Sequence, residues 1–142
     1  MLPSRAVNTT LVIVKPDGVE RRLIGEIIGR LERKGLRLVA GELRQIDEAT
    51  AQRHYEEHAE KPFFSELVAF ITRSPAFVCV VEGPKDTWAI VRSMMGATNP
   101  ADAAVGTIRG DLATEMTENL IHGSDSAASA AREIGVFFPE LA

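Results

Sequence analysis

Apolar residues along this chain fall in two patterns, unbroken runs and helical stripes, and their order predicts the fold. Thr9-Thr10-Leu11-Val12-Ile13-Val14-Lys15 is β-branched and continuously apolar, as a strand covered on both faces should be. Lys15-Pro16-Asp17-Gly18 then reads as a turn, with a lysine at the exit of a central strand. Leu23, Ile24, Ile27, Ile28 and Leu31 form one helical stripe, with Glu26, Arg30, Arg33 and Lys34 opposite, and Gly35 stops the helix. Gly25 and Gly29 lack the Gly-Lys-Ser/Thr of a phosphate loop and read as letting the helix pack closely on a sheet.

Strand character returns over residues 36–43, and Asp47 is placed to cap a helix over residues 48–58. Lys61-Pro62-Phe63-Phe64 opens another helix, which carries Phe63, Leu67, Val68 and Ile71 and stops at Ser74-Pro75. Residues 77–81 form a second unbroken apolar strand. A helix over residues 85–95 follows, with Trp88, Val91 and Met95 inward and Arg92 as the cation of its latter part. Residues 96–107 show no periodicity and read as a long functional loop. A strand over residues 118–121 then delivers His122, ahead of a helix-forming segment over residues 126–134 with Asp125 as its cap. The resulting order is βαββαβ with insertions, meaning helices packed on one mainly antiparallel sheet.

Composition narrows the function classes. A chain of 142 residues fits one domain, and a formal charge of −4 gives no support to general nucleic-acid binding. A local positive cleft is still open to Lys15, Arg92 and Arg109. The single cysteine, Cys79, sits in an apolar run, which excludes an internal disulfide and fits a buried core position in a reducing compartment. Met1-Leu2-Pro3-Ser4-Arg5 has no long apolar stretch, and no later run reaches the roughly 18 residues of a membrane span. The expectation is a cytoplasmic protein with no membrane association.

The chemistry centres on Asn119-Leu120-Ile121-His122-Gly123-Ser124-Asp125, which sets an imidazole at a strand-to-helix junction beside backbone amides that favour anions. Phosphoryl transfer requires a nucleophile, alignment and positive charge around the phosphate oxygens. His122 offers the first. Lys15, Arg92 and Arg109 offer the charge, with Thr98 and Asn119 as hydrogen-bonding groups. His54 and His58 have a metal-ligand spacing around Tyr55, but without a third ligand no metal site is assigned to them.

The His122 segment matches the N-x-x-H-G-S-D signature of the nucleoside diphosphate kinases. Lys15-Pro16-Asp17-Gly18-Val19, His54-Tyr55, Lys61-Pro62-Phe63-Phe64, Gly96-Ala97-Thr98-Asn99-Pro100-Ala101 and Gly106-Thr107-Ile108-Arg109-Gly110 resemble that family's blocks in its order. The resemblance runs from about Thr9 to Phe138 and implies a ferredoxin-like α/β (α+β) sandwich with a four-stranded antiparallel sheet. It also implies a ping-pong transfer from a nucleoside triphosphate, usually ATP, through phosphorylated His122 to a nucleoside diphosphate, with attack through Nδ1. Mg²⁺ would arrive with the nucleotide, and no protein side chain is expected to be a metal ligand.

Carried over by motif, Lys15 and Asn119 would contact the ribose hydroxyls, with Lys15 also reaching phosphate. Arg92, Thr98 and Arg109 would bind the phosphates, and Phe63 would stack on the base beside Leu67. Tyr55 and Ser124 would line the site near the transferred group, and Glu133 would orient His122. Ser74-Pro75, preceded by Arg73, departs from the family's usual Gly-Pro and bears on local turn geometry. The chain's end at Ala142 lacks the C-terminal extension that longer relatives use at subunit contacts. A homo-oligomer is expected, a hexamer before a tetramer or dimer. A nucleotide-binding scaffold that kept the fold but lost turnover should lack His122 or a phosphate-binding arginine, and this sequence lacks neither.

Overall fold

The computed structural model describes residues 8–142, so the Met1–Arg5 stretch read above for a targeting signal lies outside the described residues. Its strands are β1 (Thr9–Val14), β2 (Arg37–Arg44), β3 (Ala76–Glu82) and β4 (Ile121–Gly123). They form one four-stranded sheet in the order β2-β3-β1-β4, with every neighbouring pair antiparallel. β1 is buried at all of its positions, as an unbroken apolar run requires when both faces are covered.

Strand alternation divides the interior into two layers. Leu11, Ile13, Val78 and Val80 face one side of the sheet, with Ala51, Val68, Ile71, Ile134 and Phe137 from the helices above it. Val12, Val14, Cys79 and Val81 face the other side, with Ile27, Leu31, Val91, Met95 and Ile108. Full burial of each large aliphatic side chain contributes about 1.5–3 kcal/mol, so these two layers supply the main stabilising term. Cys79 is an inert member of the second layer, its thiol pushed up to about 12 by burial.

Seven α-helices stand among the described residues: α1 (Pro16–Glu20), α2 (Ile24–Arg33), α3 (Glu48–His54), α4 (Phe64–Thr72), α5 (Thr87–Met95), α6 (Ile108–Leu112) and α7 (Ala127–Phe137). None is long and apolar enough to cross a membrane. Several differ from the sequence reading for identifiable reasons. The expected turn at Lys15–Gly18 is α1, because Pro16 sits in its first turn, where the missing N–H costs nothing, and Asp17 complements the helix dipole there. The helix expected over residues 48–58 ends at His54, and Glu56–His58 form a separate 3-10 turn. The i, i+4 relation of His54 and His58 is thereby lost. Asp47 does cap α3, accepting from the Thr50 amide at 2.6 Å.

The helix after Lys61-Pro62 begins only at Phe64. Trp88 is half-buried and belongs to neither core layer. Thr107 caps α6, a helix the sequence reading did not assign, by accepting from the Gly110 amide at 3.0 Å. Ser126, rather than Asp125, caps α7, accepting from the Ser129 amide at 3.0 Å. The unusual Ser74 donates to Glu20 Oε2 at 2.6 Å, and Arg73 pairs with Glu20 and Glu118 at 2.7 and 3.2 Å. That network ties the turn before β3 to α1 and to the segment ahead of β4.

The glycines also separate by environment. Gly35 ends α2 with φ +101°, a conformation that costs an L side chain energy. Gly25 is exposed, and a Cβ there meets nothing within 4 Å, so it does not serve close packing on the sheet. At Gly110 a Cβ would lie 2.0 Å from the Ala104 carbonyl oxygen. Urea denaturation should therefore separate two variants. Gly25→Ala should raise stability by up to about 1 kcal/mol through helix propensity, and Gly110→Ala should lower it by about 1–3 kcal/mol through overpacking.

Candidate functional site

One backbone corner positions the site. Leu120 adopts φ +76°, a left-handed conformation costing a non-glycine residue about 1–2 kcal/mol. Two hydrogen bonds hold it: its N–H donates to Asp17 Oδ2 at 3.0 Å, and its carbonyl accepts from the Lys15 N–H at 2.9 Å. Asp17 is 2% exposed, and burial raises its carboxyl against the opposing effects of Lys15 and the Leu120 amide. The corner ends the extended segment early, so β4 starts at Ile121 rather than at Glu118. It brings Lys15 and Asn119 side by side and pairs His122 with Ile13 of β1.

On that face His122 meets α7. Its Nε2 lies 2.9 Å from Glu133 Oε1, which also accepts from Ser124 Oγ at 2.7 Å. Burial pushes the Glu133 carboxyl up, but the hydrogen bond and charge of His122, with His54 and Ser124, outweigh it and hold the group at about 2. Ser124 is fully buried behind the carboxylate, so it supports Glu133 instead of lining the cavity as expected. His54 stands edge-on to His122, with ring centroids 4.7 Å apart. Burial first, and His122 next, push His54 down to about 3, so its ring is neutral. Burial and Glu133 raise the Tyr55 phenol well above its ordinary value.

The cations gather on the other side of His122. Lys15 Nζ donates to Asn119 Oδ1 at 2.6 Å, and Asn119 Nδ2 donates to the Thr98 carbonyl at 2.9 Å. Arg109 donates to the carbonyls of Asn119, Gly96 and Ile121 at 3.2, 3.1 and 2.6 Å, and Arg92 donates to that of Gly123 at 3.0 Å. Among the described residues none of Lys15, Arg92 and Arg109 forms an ion pair with a carboxylate. Burial, then the neighbouring Arg92, lowers Arg109 to about 10, although Asp17 opposes this. Burial lowers Lys15 to about 8, with Asp17 opposing and Arg109 assisting. Partly buried positive charge without a carboxylate partner is a receptor for an anion.

These groups share a cavity of about 620 Å³, which brings together Lys15, Tyr55, Phe63, Leu67, Arg92, Thr98, Arg109, Asn119, His122 and Glu133. Phe63 is 42% exposed. Asp125, read as a helix cap, also lines the cavity. A larger groove of about 820 Å³ runs between α2 and α6, but there Arg30 is already paired with Glu26 and Asp111 at 2.8 and 2.9 Å. Sequence reasoning missed two residues. His54 and Asp17 fall inside family-like blocks, but the sequence assigns neither a role in the site: His54 reads as a candidate partner of His58 and Asp17 as a turn residue. The available signal for Asp17 was an acid two places after the strand-exit lysine.

Fold and cavity together describe an α/β sandwich with an anion-receptive site built around a histidine. A family model described as nucleoside diphosphate kinase matches residues 8–142. The nucleoside diphosphate kinase of Thermobifida fusca is 60% identical over 136 residues, spanning 96% of this chain and all of that protein. A nucleoside diphosphate kinase from Parafrankia is 57% identical, covering 96% of this chain and 98% of its own. Among solved structures, a halophilic nucleoside diphosphate kinase from Halobacterium salinarum in complex with CDP superposes with a TM-score of 0.88 at 53% identity, covering 92% of this chain and 86% of the other. The chain belongs to the nucleoside diphosphate kinase family. It is an enzyme that moves the terminal phosphoryl group of a nucleoside triphosphate onto a nucleoside diphosphate, on the ferredoxin-like fold of that family.

The low Glu133 value makes an acid-stability prediction. Its folded value of about 2 lies below the ordinary 4.5, so its contribution is present above about pH 4.5 and is lost as pH falls toward 2. That span corresponds to about 3 kcal/mol. Chemical denaturation across it should show a shallower loss of stability for Glu133→Gln than for the wild type.

Proposed function

We propose that His122 is the group phosphorylated during turnover and that Nδ1 makes the bond. The observation that carries this reading is the 2.9 Å contact between His122 Nε2 and Glu133 Oε1. An ionised carboxylate only accepts, so Nε2 bears the ring hydrogen and the lone pair lies on Nδ1. Nδ1 attacks the terminal phosphorus of the triphosphate. The N–P bond forms as the bridging P–O bond breaks, and the diphosphate leaves with its electron pair. A terminal oxygen of a second diphosphate then attacks the same phosphorus, and the N–P bond breaks. Glu133 keeps the ring in one orientation through both halves and stabilises the positive charge that develops on it.

Lys15, Arg92 and Arg109 neutralise charge on the phosphate oxygens, assisted by Thr98, and their fixed carbonyl contacts preorganise them for that purpose. Lys15 and Asn119 also hold the ribose hydroxyls. Phe63 stacks on the base beside Leu67, and Tyr55 stands by the transferred group. The CDP bound to the Halobacterium relative supports a nucleotide in this cavity. Mg²⁺ would arrive with the nucleotide and would neutralise negative charge on its phosphates. The metal-competent group found among the described residues is two imidazoles and a carboxylate, which is not the oxygen shell Mg²⁺ prefers.

The enzyme is read as cytoplasmic and homo-oligomeric, a hexamer before a tetramer or dimer. Exposed Leu38 and Leu43 on the edge strand β2, with Val105 91% exposed, support contacts between copies.

Intact-protein mass after brief exposure to ATP and Mg²⁺ tests the chemistry. One acid-labile phosphoryl group per chain should appear, should be discharged by a second nucleoside diphosphate, and should be absent from His122→Ala. Bound nucleotide without an adduct would favour the scaffold reading instead. A second test follows from Lys15. Its charge is lost as pH rises through about 8, so diphosphate affinity should fall between pH 7 and 9. Lys15→Gln should bind more weakly throughout and flatten that profile in calorimetry.

A further inference from the structure

His54 lies beside the proposed nucleophile with its own hydrogen-bonding capacity unused. It is 2% exposed, and neither ring nitrogen has a hydrogen-bond partner among the described residues. Leaving a buried polar group this way is destabilising, whereas an alanine or leucine would fill space without that cost. Its surroundings are aromatic: Tyr55 at 4.6 Å, His122 at 4.7 Å and Phe137 at 5.3 Å between ring centroids. One ring nitrogen of His54, one of His122 and a carboxylate oxygen of Glu133 all lie within 4.8 Å of one another.

That donor set has a definite chemistry. Two imidazoles and a carboxylate suit a four-coordinate borderline ion such as Zn²⁺, with bonds of about 2.0–2.2 Å and a fourth position for water. Hard cations prefer oxygen shells and are selected against. We propose that His54, His122 and Glu133 form a Zn²⁺ site that, when filled, locks His122 in a form that cannot be phosphorylated. His122 Nε2 and Glu133 Oε1, now hydrogen-bonded at 2.9 Å, need to part by only about 0.4 Å, and the ion replaces that hydrogen bond. Tetrahedral ligation needs donors roughly 3.3 Å apart, so the His54 ring must close by up to about 1.5 Å. It breaks no hydrogen bond in doing so. The His122 side chain is 24% exposed, which gives the ion a route from the cavity. Arg132 lies 3.7 Å from the second Glu133 oxygen and lowers affinity without blocking the site.

The inhibitory consequence rests on the reading of His122 as nucleophile; the metal binding does not. A neutral imidazole carries one ring hydrogen. When Zn²⁺ takes the Nε2 lone pair, that hydrogen moves to Nδ1, and no proton is released overall. Nδ1 then has no lone pair with which to attack phosphorus. Removing the ion restores the original tautomer.

Calorimetric titration of the metal-free enzyme with ZnCl₂, without nucleotide, tests the site. One ion per chain should bind, at least tenfold more weakly to His54→Gln and with unchanged affinity to His58→Gln. Co²⁺ added to the wild type should give the intense visible bands of a tetrahedral centre, a readout that needs no variant to fold. Zn²⁺ should block phosphohistidine formation in the wild type, EDTA equimolar with the zinc in excess Mg²⁺ should reverse the block, and His54→Gln should need at least tenfold more ion. Absence of stoichiometric binding, equal affinity in His54→Gln, loss of binding in His58→Gln or an octahedral Co²⁺ spectrum would each overturn the proposal. If the metal-free wild type forms no phosphohistidine, the kinase reading of His122 fails, while the ZnCl₂ and Co²⁺ titrations still decide the metal site.

Discussion

The Asp17–Leu120 hydrogen bond is the constraint on which the site depends. A left-handed leucine is unfavourable by itself, and it persists because a buried carboxylate accepts its N–H while the Lys15 amide satisfies its carbonyl. Those two bonds join segments about a hundred residues apart in sequence. They fix Lys15 against Asn119 on one side of the corner and start β4 at Ile121 on the other, so the lysine and the histidine are placed by the same structural element. Burial of Asp17 without a partner for its second oxygen shows that the corner is maintained at a cost elsewhere in the energy balance.

Electrostatics around His122 are divided in space. The carboxylate touching the ring comes from α7, while Arg92 and Arg109 are held by backbone carbonyls and Lys15 by the Asn119 side-chain oxygen, contacts that orient them without neutralising them. A carbonyl dipole fixes a guanidinium but leaves most of its charge available, whereas an ion pair would have to be broken before an anion could bind. The lowered values at Lys15 and Arg109 follow from burial first, with repulsion from Arg109 added at Lys15 and from Arg92 added at Arg109, and an anion bound among them would relieve that repulsion.

The sheet and its helices were legible because their signals are local. Unbroken β-branched runs marked β1 and β3, and one apolar stripe marked α2. The misses share a physical cause, in that tertiary contacts overrode local pattern. β4 is three residues long because Leu120 turns left-handed against Asp17, a partner on another segment. The helix expected through His58 breaks at Tyr55, and Arg132 of α7 donates to the carbonyls of Arg53 and His54 at 3.1 Å each, anchoring the end of α3. The identities of the candidate site residues were legible from motif resemblance. What the resemblance misplaced was Ser124, which faces Glu133 rather than the cavity, and what it left unstated was the packing of His54 on His122.

Division of the cavity lining between polar and apolar groups would let one site serve many nucleotides in the proposed mode. In that mode Lys15, Arg92, Arg109 and Asn119 would recognise features every nucleotide shares, its phosphates and ribose, with directional hydrogen bonds. Phe63 and Leu67 offer the base a flat apolar surface, and stacking on such a surface is tolerant of base identity because every base has a π-face. Binding energy is thereby concentrated on the part of the ligand that reacts. A hydrogen-bonding pocket for one base edge would have left its own buried polar groups unpaired with every other base. A ping-pong enzyme needs the opposite, because its donor and its acceptor must occupy the same cavity in turn.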